Sequence, residues 1–170
     1  RNFIADEAFA VLLADDLIMG EPGCLKQMME VYRETGGNVV ASEEVPPEHT
    51  DRYGILDVIE DDGRLVRVKG LVEKPAPADA PSNLCIIGRY ILQPEVFGHL
   101  SRQGEGAGGE IQLTDALAKT IPDMPFHGLR FEGKRFDCGS KLGFLEANIA
   151  FALARDDLGP SVAKMLKDYV

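Results

Sequence analysis

The stretch Phe9 to Asp16, FAVLLADD, constrains the fold more than any other part of the chain. Ala8 to Ala14 is an unbroken apolar run, short enough for a β-strand buried on both faces, and it stops abruptly at two carboxylates. Asp15 and Asp16 are thereby expected at the carboxyl end of a strand, the edge along which open α/β sheets bind ligands. Two acids there can hold a hard cation such as Mg²⁺, which takes oxygen ligands and brings phosphates with it. A turn followed by a helix cap explains the same pair, since aspartate favours both.

The bulk numbers narrow the classes. A chain of 170 residues suits one domain with a core that needs no staples. The net charge of -10 argues against a nonspecific binder of nucleic acid or anionic membrane, which needs basic surface. An anionic substrate would then require a local cation, either a metal ion or a placed lysine. Cys24, Cys85 and Cys138 are odd in number and far apart, which suggests neither a disulfide framework nor a C-x-x-C zinc site. With no bilayer-length apolar stretch and no signal peptide in RNFIADEAF, the reading is a soluble cytoplasmic protein.

Periodicity supplies the elements. Glu21 and Pro22 suit a helix's first turn, followed by Leu25, Met28, Met29 and Tyr32 at helical spacing, with the methionines as core filler. Gly36-Gly37 ends that helix and Asn38 to Ser42 reads as a strand. Tyr53 to Ile59 and Arg64 to Val72 form a hairpin across Asp62-Gly63, inserting an antiparallel pair and predicting a mixed sheet. Asn83 to Leu92 is another buried strand, in which Gly88 marks a bulge or a close approach. The glycine-rich stretch Gly104 to Gly109 lacks the lysine and the serine or threonine of a P-loop. Leu113, Leu117 and Ile121 share a helix face. Phe126 to Phe131 and Lys134 to Phe136 read as short strands joined at Gly133. Leu142, Leu145, Ile149 and Leu153 mark a further helix face, and Val162, Leu166 and Tyr169 a last one. Such terminal helices pack on this domain or on a second subunit; a homo-oligomer through them is the expected assembly.

Three acids, Asp15, Glu73 and Asp137, fall at predicted strand ends that one sheet edge could bring together. Asp15 and Asp137 could share a cation. Glu73 offers an acceptor for hydroxyls beside the point charge of Lys74, suited to phosphate. Equally, Glu73-Lys74 could be a solvated strand end, and Asp137 a turn residue capping the next helix. The lone histidines His49, His99 and His127 have no metal-ligand spacing and read as surface residues, and Cys138 has no nearby histidine to activate it.

Taken together, FAVLLADDLI, YGILDV, LVEKPAPADAPSNLCIIGRYIL, GAGGEIQLTDAL and RFDCGSKLGFLEANIAFAL closely resemble the bacterial UTP:glucose-1-phosphate uridylyltransferases, or UDP-glucose pyrophosphorylases. The resemblance covers nearly the whole chain. It implies a Rossmann-like three-layer α/β/α nucleotidyltransferase fold with a mixed sheet, and formation of UDP-glucose and pyrophosphate from UTP and glucose 1-phosphate with Mg²⁺ as cofactor. By the same resemblance Asp15 and Asp137 are the Mg²⁺ ligands, Glu73 holds glucose hydroxyls and Lys74 the sugar phosphate. Gly54, Asn83, Ile86 and Gly88 line the sugar pocket, and Asp16 supports its neighbour. Asp15, Lys74 and Asp137 form the implied catalytic set. One departure stands out: the family's glycine-rich G-x-G-T-R-x-x-P loop and its nucleotide-binding lysine are not in this sequence. Residues 1-170 are therefore expected to be the C-terminal, sugar- and metal-binding portion of a nucleotidyltransferase domain, inactive alone. A metal-dependent glycosyltransferase and a non-catalytic sugar-phosphate-binding or oligomerising module are the competing readings.

Overall fold

The computed structural model describes residue 4, residues 6–102, residue 104 and residues 111–169. The glycine-rich stretch before Glu110 thus lies almost wholly outside the described residues. Alternation along the central strands decides the layering. In β3 (Asn38–Glu44), Val39 and Ala41 face one core while Val40 faces the other. β6 (Leu84–Leu92) alternates likewise, sending Cys85, Ile87 and Ile91 one way and Leu84, Ile86 and Leu92 the other. Helix α1 (Cys24–Thr35) covers the first face with Met28 and Val31. Helices α2 (Glu95–Arg102) and α3 (Leu113–Ala118) cover the second with Val96, Ala116 and Leu117. The result is the three-layer α/β/α arrangement.

The large sheet also contains β1 (Phe9–Leu12), β4 (Gly54–Asp61), β5 (Leu65–Glu73) and β7 (Phe126–Arg130). Its order is β1-β6-β3-β7-β5-β4, and β4 pairs back onto β6 through Ile55 and Cys85, which curls the sheet. Only β3 and β7 run parallel, so the sheet is mixed as expected. The β4–β5 turn is built by Asp62, whose carboxylate accepts the N–H groups of Arg64 and Leu65, and by Gly63 at a φ of 92°. A second, two-stranded sheet joins β2 (Asp16–Met19) to β8 (Lys134–Asp137) in antiparallel register, with Asp16 opposite Asp137. The buried amide of Gln27 ties this small sheet to α1: its Nε2 donates to Glu132 O and its Oε1 accepts Glu132 N–H, both at 2.8 Å.

Several expectations are corrected. The apolar run at Ala8 to Ala14 does form a strand, but not one buried on both faces. β1 lies at the end of the sheet, where Phe9 stacks on Phe97 of α2 at 5.0 Å while Ala10 and Leu12 stay exposed. The segment after the double aspartate contains a strand, β2, that its short length hid. The two short strands expected on either side of Gly133 are both present, as β7 and β8, and belong to different sheets. His127 is not a surface residue: within β7 it is half-buried, with its Nδ1 buried. Helix α4 (Lys141–Leu153) leaves the predicted face of Leu142, Leu145, Ile149 and Leu153 open, because it packs on α5 (Gly159–Leu166) and β8 while Ala147 alone is fully buried.

The two methionines of α1 also divide: Met28 is 0% exposed and Met29 41%. Met28→Ala is expected to cost about 2–5 kcal/mol of unfolding free energy in urea denaturation. Met29→Ala should stay within about 0.5 kcal/mol.

Candidate active site

The carboxylate of Asp16 organises this region. It accepts the Gly88 N–H at 3.1 Å and Arg135 Nε at 2.5 Å, and it is largely buried. Arg135 also reaches Glu43 at 3.4 Å and lies over the Tyr53 ring at 5.5 Å. Burial works against its charge, but the hydrogen bond and the charge of Asp16 prevail and hold the guanidinium protonated more firmly than in water. Gly88 is the close approach anticipated from the sequence, and what approaches it is this turn. A methyl group there would lie 2.7 Å from Leu13 Cβ and 2.8 Å from Asp16 Oδ2.

Beside this clamp opens a cleft of about 340 Å³ walled by Gly54, Glu73, Ile86, Gly88, Tyr90 and Thr114, with Asp16 and Arg135 at one side. Four residues singled out in the sequence meet here: Gly54, Glu73, Ile86 and Gly88. Gly54 pairs directly with Glu73 across β4 and β5. A methyl on Gly54 would sit 2.9 Å from Thr114 Oγ1 and 3.3 Å from Glu73 Oε2, filling space between two hydrogen-bonding groups. Burial, followed by the negative charges of Glu73, Asp16 and Asp15, pushes the Tyr90 hydroxyl up to about 12, so it stays a donor.

Asp15 and Asp137 lie just outside this wall, both exposed. A methyl on Gly139 would lie 3.0 Å from Asp137 Oδ1 and 3.8 Å from Asp15 Oδ2, so the two acids border one small space. The Cys138 N–H donates to Asp15 O at 2.7 Å and fixes the two turns together. Asp137 is not the cap of α4; Ser140 is, accepting the Gly143 N–H at 3.0 Å, while Asp137 closes its own turn onto the Gly139 N–H. Among the described residues no three histidine, cysteine or acidic side chains are grouped to hold a metal ion. Two open carboxylates nevertheless fit Mg²⁺, which is bound through one or two carboxylates with water and phosphates completing its shell.

Lys74 stands at the rim, half exposed, its Nζ 3.8 Å from Glu73 Oε1. Its φ of 47° is unusual for a side-chain-bearing residue, and its N–H donates to Tyr53 O at 2.9 Å. Asn83 is elsewhere: its side chain donates to Val45 O at 3.2 Å and fastens the start of β6 to the end of β3. Sequence reasoning missed Arg135, Tyr90 and Thr114 and gave Asp16 too small a part. The strand period could have found two of them, since Tyr90 follows Ile86 and Gly88 on one face of β6 and Arg135 shares a face with Asp137.

A family model for nucleotidyl transferases matches residues 1–152. The chain belongs to the nucleotidyl transferase family. Within that family it is 61% identical, over 142 residues, to the UTP--glucose-1-phosphate uridylyltransferase of Komagataeibacter xylinus, a match covering 84% of this chain and 50% of that protein. The crystal structure of a UDP-glucose pyrophosphorylase complexed with UDP-glucose superposes with a TM-score of 0.84 at 42% identity, covering 91% of this chain and 59% of the other. The UTP-bound UGPase of Acinetobacter baumannii gives a TM-score of 0.82 at 34% identity, covering 97% and 57%. The chain therefore spans about half the length of the curated relatives it matches.

For this nucleotidyl transferase chain the clamp and the thiols give measurable consequences. Asp16→Ala strands Arg135 in the interior and is expected to cost about 3–5 kcal/mol in urea denaturation. Adding Arg135→Met should cost less than the two single changes together, because the pair acts as a unit. Burial pushes the Cys24 and Cys85 thiols up to about 11, whereas Cys138 is partly open. At pH 8 the folded state should therefore expose only Cys138 to a thiol reagent, with Cys24 and Cys85 reacting after unfolding.

Proposed function

We propose that the protein containing this chain is a UTP:glucose-1-phosphate uridylyltransferase, and that these residues bind glucose 1-phosphate and a divalent cation. The observation that carries this reading is the cleft in which Gly54, Glu73 and Gly88 adjoin the paired carboxylates of Asp15 and Asp137. Membership of the nucleotidyl transferase family supports it, as do structural neighbours solved with UDP-glucose and with UTP.

The residues divide the work by chemistry. The Glu73 carboxylate accepts from glucose hydroxyls, and Gly54 and Gly88 leave room for the ring to approach the backbone. Lys74 places its ammonium against the sugar phosphate. A phosphate oxygen of glucose 1-phosphate attacks the α-phosphorus of UTP in line, a new P–O bond forms, and the bond to the β-phosphate breaks with its electrons leaving on pyrophosphate. No protein nucleophile is needed, because such transfers depend on positioning and on charge neutralisation. Asp15 and Asp137 would hold Mg²⁺, which when bound neutralises phosphate charge. Asn83 acts indirectly, by fixing the start of β6.

A nucleoside triphosphate substrate fits the cytoplasm, and among the described residues no helix is long and apolar enough to cross a membrane. The open apolar face of α4 supports a homo-oligomer formed through the C-terminal helices.

The test is product analysis of the intact protein with UTP, glucose 1-phosphate and Mg²⁺: pyrophosphate and UDP-glucose are expected. Turnover of UDP-glucose to UDP in place of this reaction would instead make the protein a glycosyltransferase, and no turnover would leave a binding module. Lys74→Ala should raise KM for glucose 1-phosphate and lower kcat by about 10-fold or more each; unchanged constants would remove Lys74 from the site.

A further inference from the structure

Arg89 lies in the middle of β6, 8% exposed, and among the described residues it makes no ion pair. A guanidinium in the interior is costly unless its donors are satisfied. Here they are spent on main-chain carbonyls. Nη1 donates to Leu13 O at 2.8 Å and to Gly88 O at 2.7 Å, and Nη2 donates to Asp16 O. Leu13 and Asp16 bracket the turn that carries Asp15. The Leu13 N–H returns to Gly88 O at 2.9 Å, closing a ring of bonds between this turn and β6. Asp15 itself is exposed, and its carbonyl is held by the Cys138 N–H. The place from which its side chain leaves the backbone is therefore set by the turn's main chain.

We propose that Arg89 is a positioning residue for Asp15: its fork holds the carbonyls of Leu13 and Asp16 and so keeps the Asp15 carboxylate in fixed relation to Asp137. The inference rests on the reading of Asp15 as a ligand for a divalent cation. Lysine carries the same charge but lacks the planar fork that spans several carbonyls, so charge alone does not substitute. Arg89 does not line the cleft, and sugar binding through Glu73 and Gly54 is left to other contacts.

The experiment measures Mn²⁺ affinity, by the electron paramagnetic resonance signal of free Mn²⁺, for the intact protein and its Arg89→Lys, Arg89→Met and Asp15→Asn variants. Both Arg89 variants are expected to bind Mn²⁺ about 10–100-fold more weakly, the range for groups that orient metal ligands. Their kcat should fall with it, and KM for glucose 1-phosphate should move less than about threefold, since among the described residues the Arg89 bonds go to Leu13, Gly88 and Asp16 carbonyls and none to Glu73, Gly54 or Lys74. Folded Arg89 variants with wild-type Mn²⁺ affinity, alongside a weakened Asp15→Asn, would overturn the role of Arg89 alone. Wild-type affinity in Asp15→Asn would overturn the cation reading itself, and this inference with it. Should neither Arg89 variant fold, hydrogen exchange of the wild type decides. Leu13 and Cys138 amides protected as well as those of β6 support a held turn, and free exchange at both overturns it.

Discussion

The burial of one carboxylate beside one guanidinium, Asp16 against Arg135, is the constraint on which the site depends. Removing two charges from water is expensive, and their attraction offsets that cost only when the remaining hydrogen-bonding capacity is met. The Gly88 N–H, Glu43 and the Tyr53 ring meet it here. Such an arrangement adds little net stability but much specificity, because any slip would leave a charge stranded. Asp16 begins β2, Arg135 lies in β8 and Gly88 in β6. Three strands from distant parts of the chain are thus locked together at one point. Asp15, Asp137 and Tyr90 each lie within two residues of it in sequence, and inherit their placement from it.

The electrostatics of the region follow from this lock. A chain of net charge -10 gathers Asp15, Asp16, Glu73 and Asp137 around one cleft, a poor field for a phosphate ester. Arg135 cannot correct it, since its charge is matched by Asp16 and Glu43. Among the described residues Lys74 pairs with Glu73 alone, at 3.8 Å, and remains half open at the rim, where its charge is available to an arriving anion. Its left-handed backbone is tolerated because its N–H is anchored on Tyr53 O and Pro75 follows, buried. The paired carboxylates beyond the wall are the other charge feature of the region, two exposed acids bordering one small space.

How much of this could be read from the sequence depended on the range of the interaction involved. Local chemistry was legible: the Asp62-Gly63 hairpin, the helix ending at Gly36, though it starts at Cys24 and not at Glu21-Pro22, and the alternating strands β3 and β6 follow from turn preference and side-chain period. So were Glu73, an acid at a strand end before Lys-Pro, and Gly88, a glycine inside a strand, whereas Gly54 came from the family resemblance alone. Partners set by topology were not. An apolar run of seven residues cannot announce whether it lies in the middle of a sheet or at its end, and β1 turned out to lie at the end. The family resemblance put Asn83 in the pocket, yet its amide is spent on Val45. Arg135 offered only the face it shares with Asp137, because its partner Asp16 is more than a hundred residues away in sequence.

The same limit of local pattern explains α4. Leu142, Leu145, Ile149 and Leu153 were correctly placed on one helix face, but Phe144 and Phe151 put apolar surface on other sides as well, and all six are exposed. A helix apolar over most of its circumference is stable in water only when covered from more than one direction. Here β8 and α5 provide cover on one flank, with Phe151 against Phe136 at 5.8 Å. The Ser140 cap fixes where the helix starts, and Asp137 is held in the turn just before it. Whatever body covers the open side of α4 therefore presses on the element that carries one of the two paired acids. The link is short: Ser140 Oγ donates to Asp137 O at 3.1 Å and caps α4 through the Gly143 N–H, so the open helix and that acid are joined by one turn.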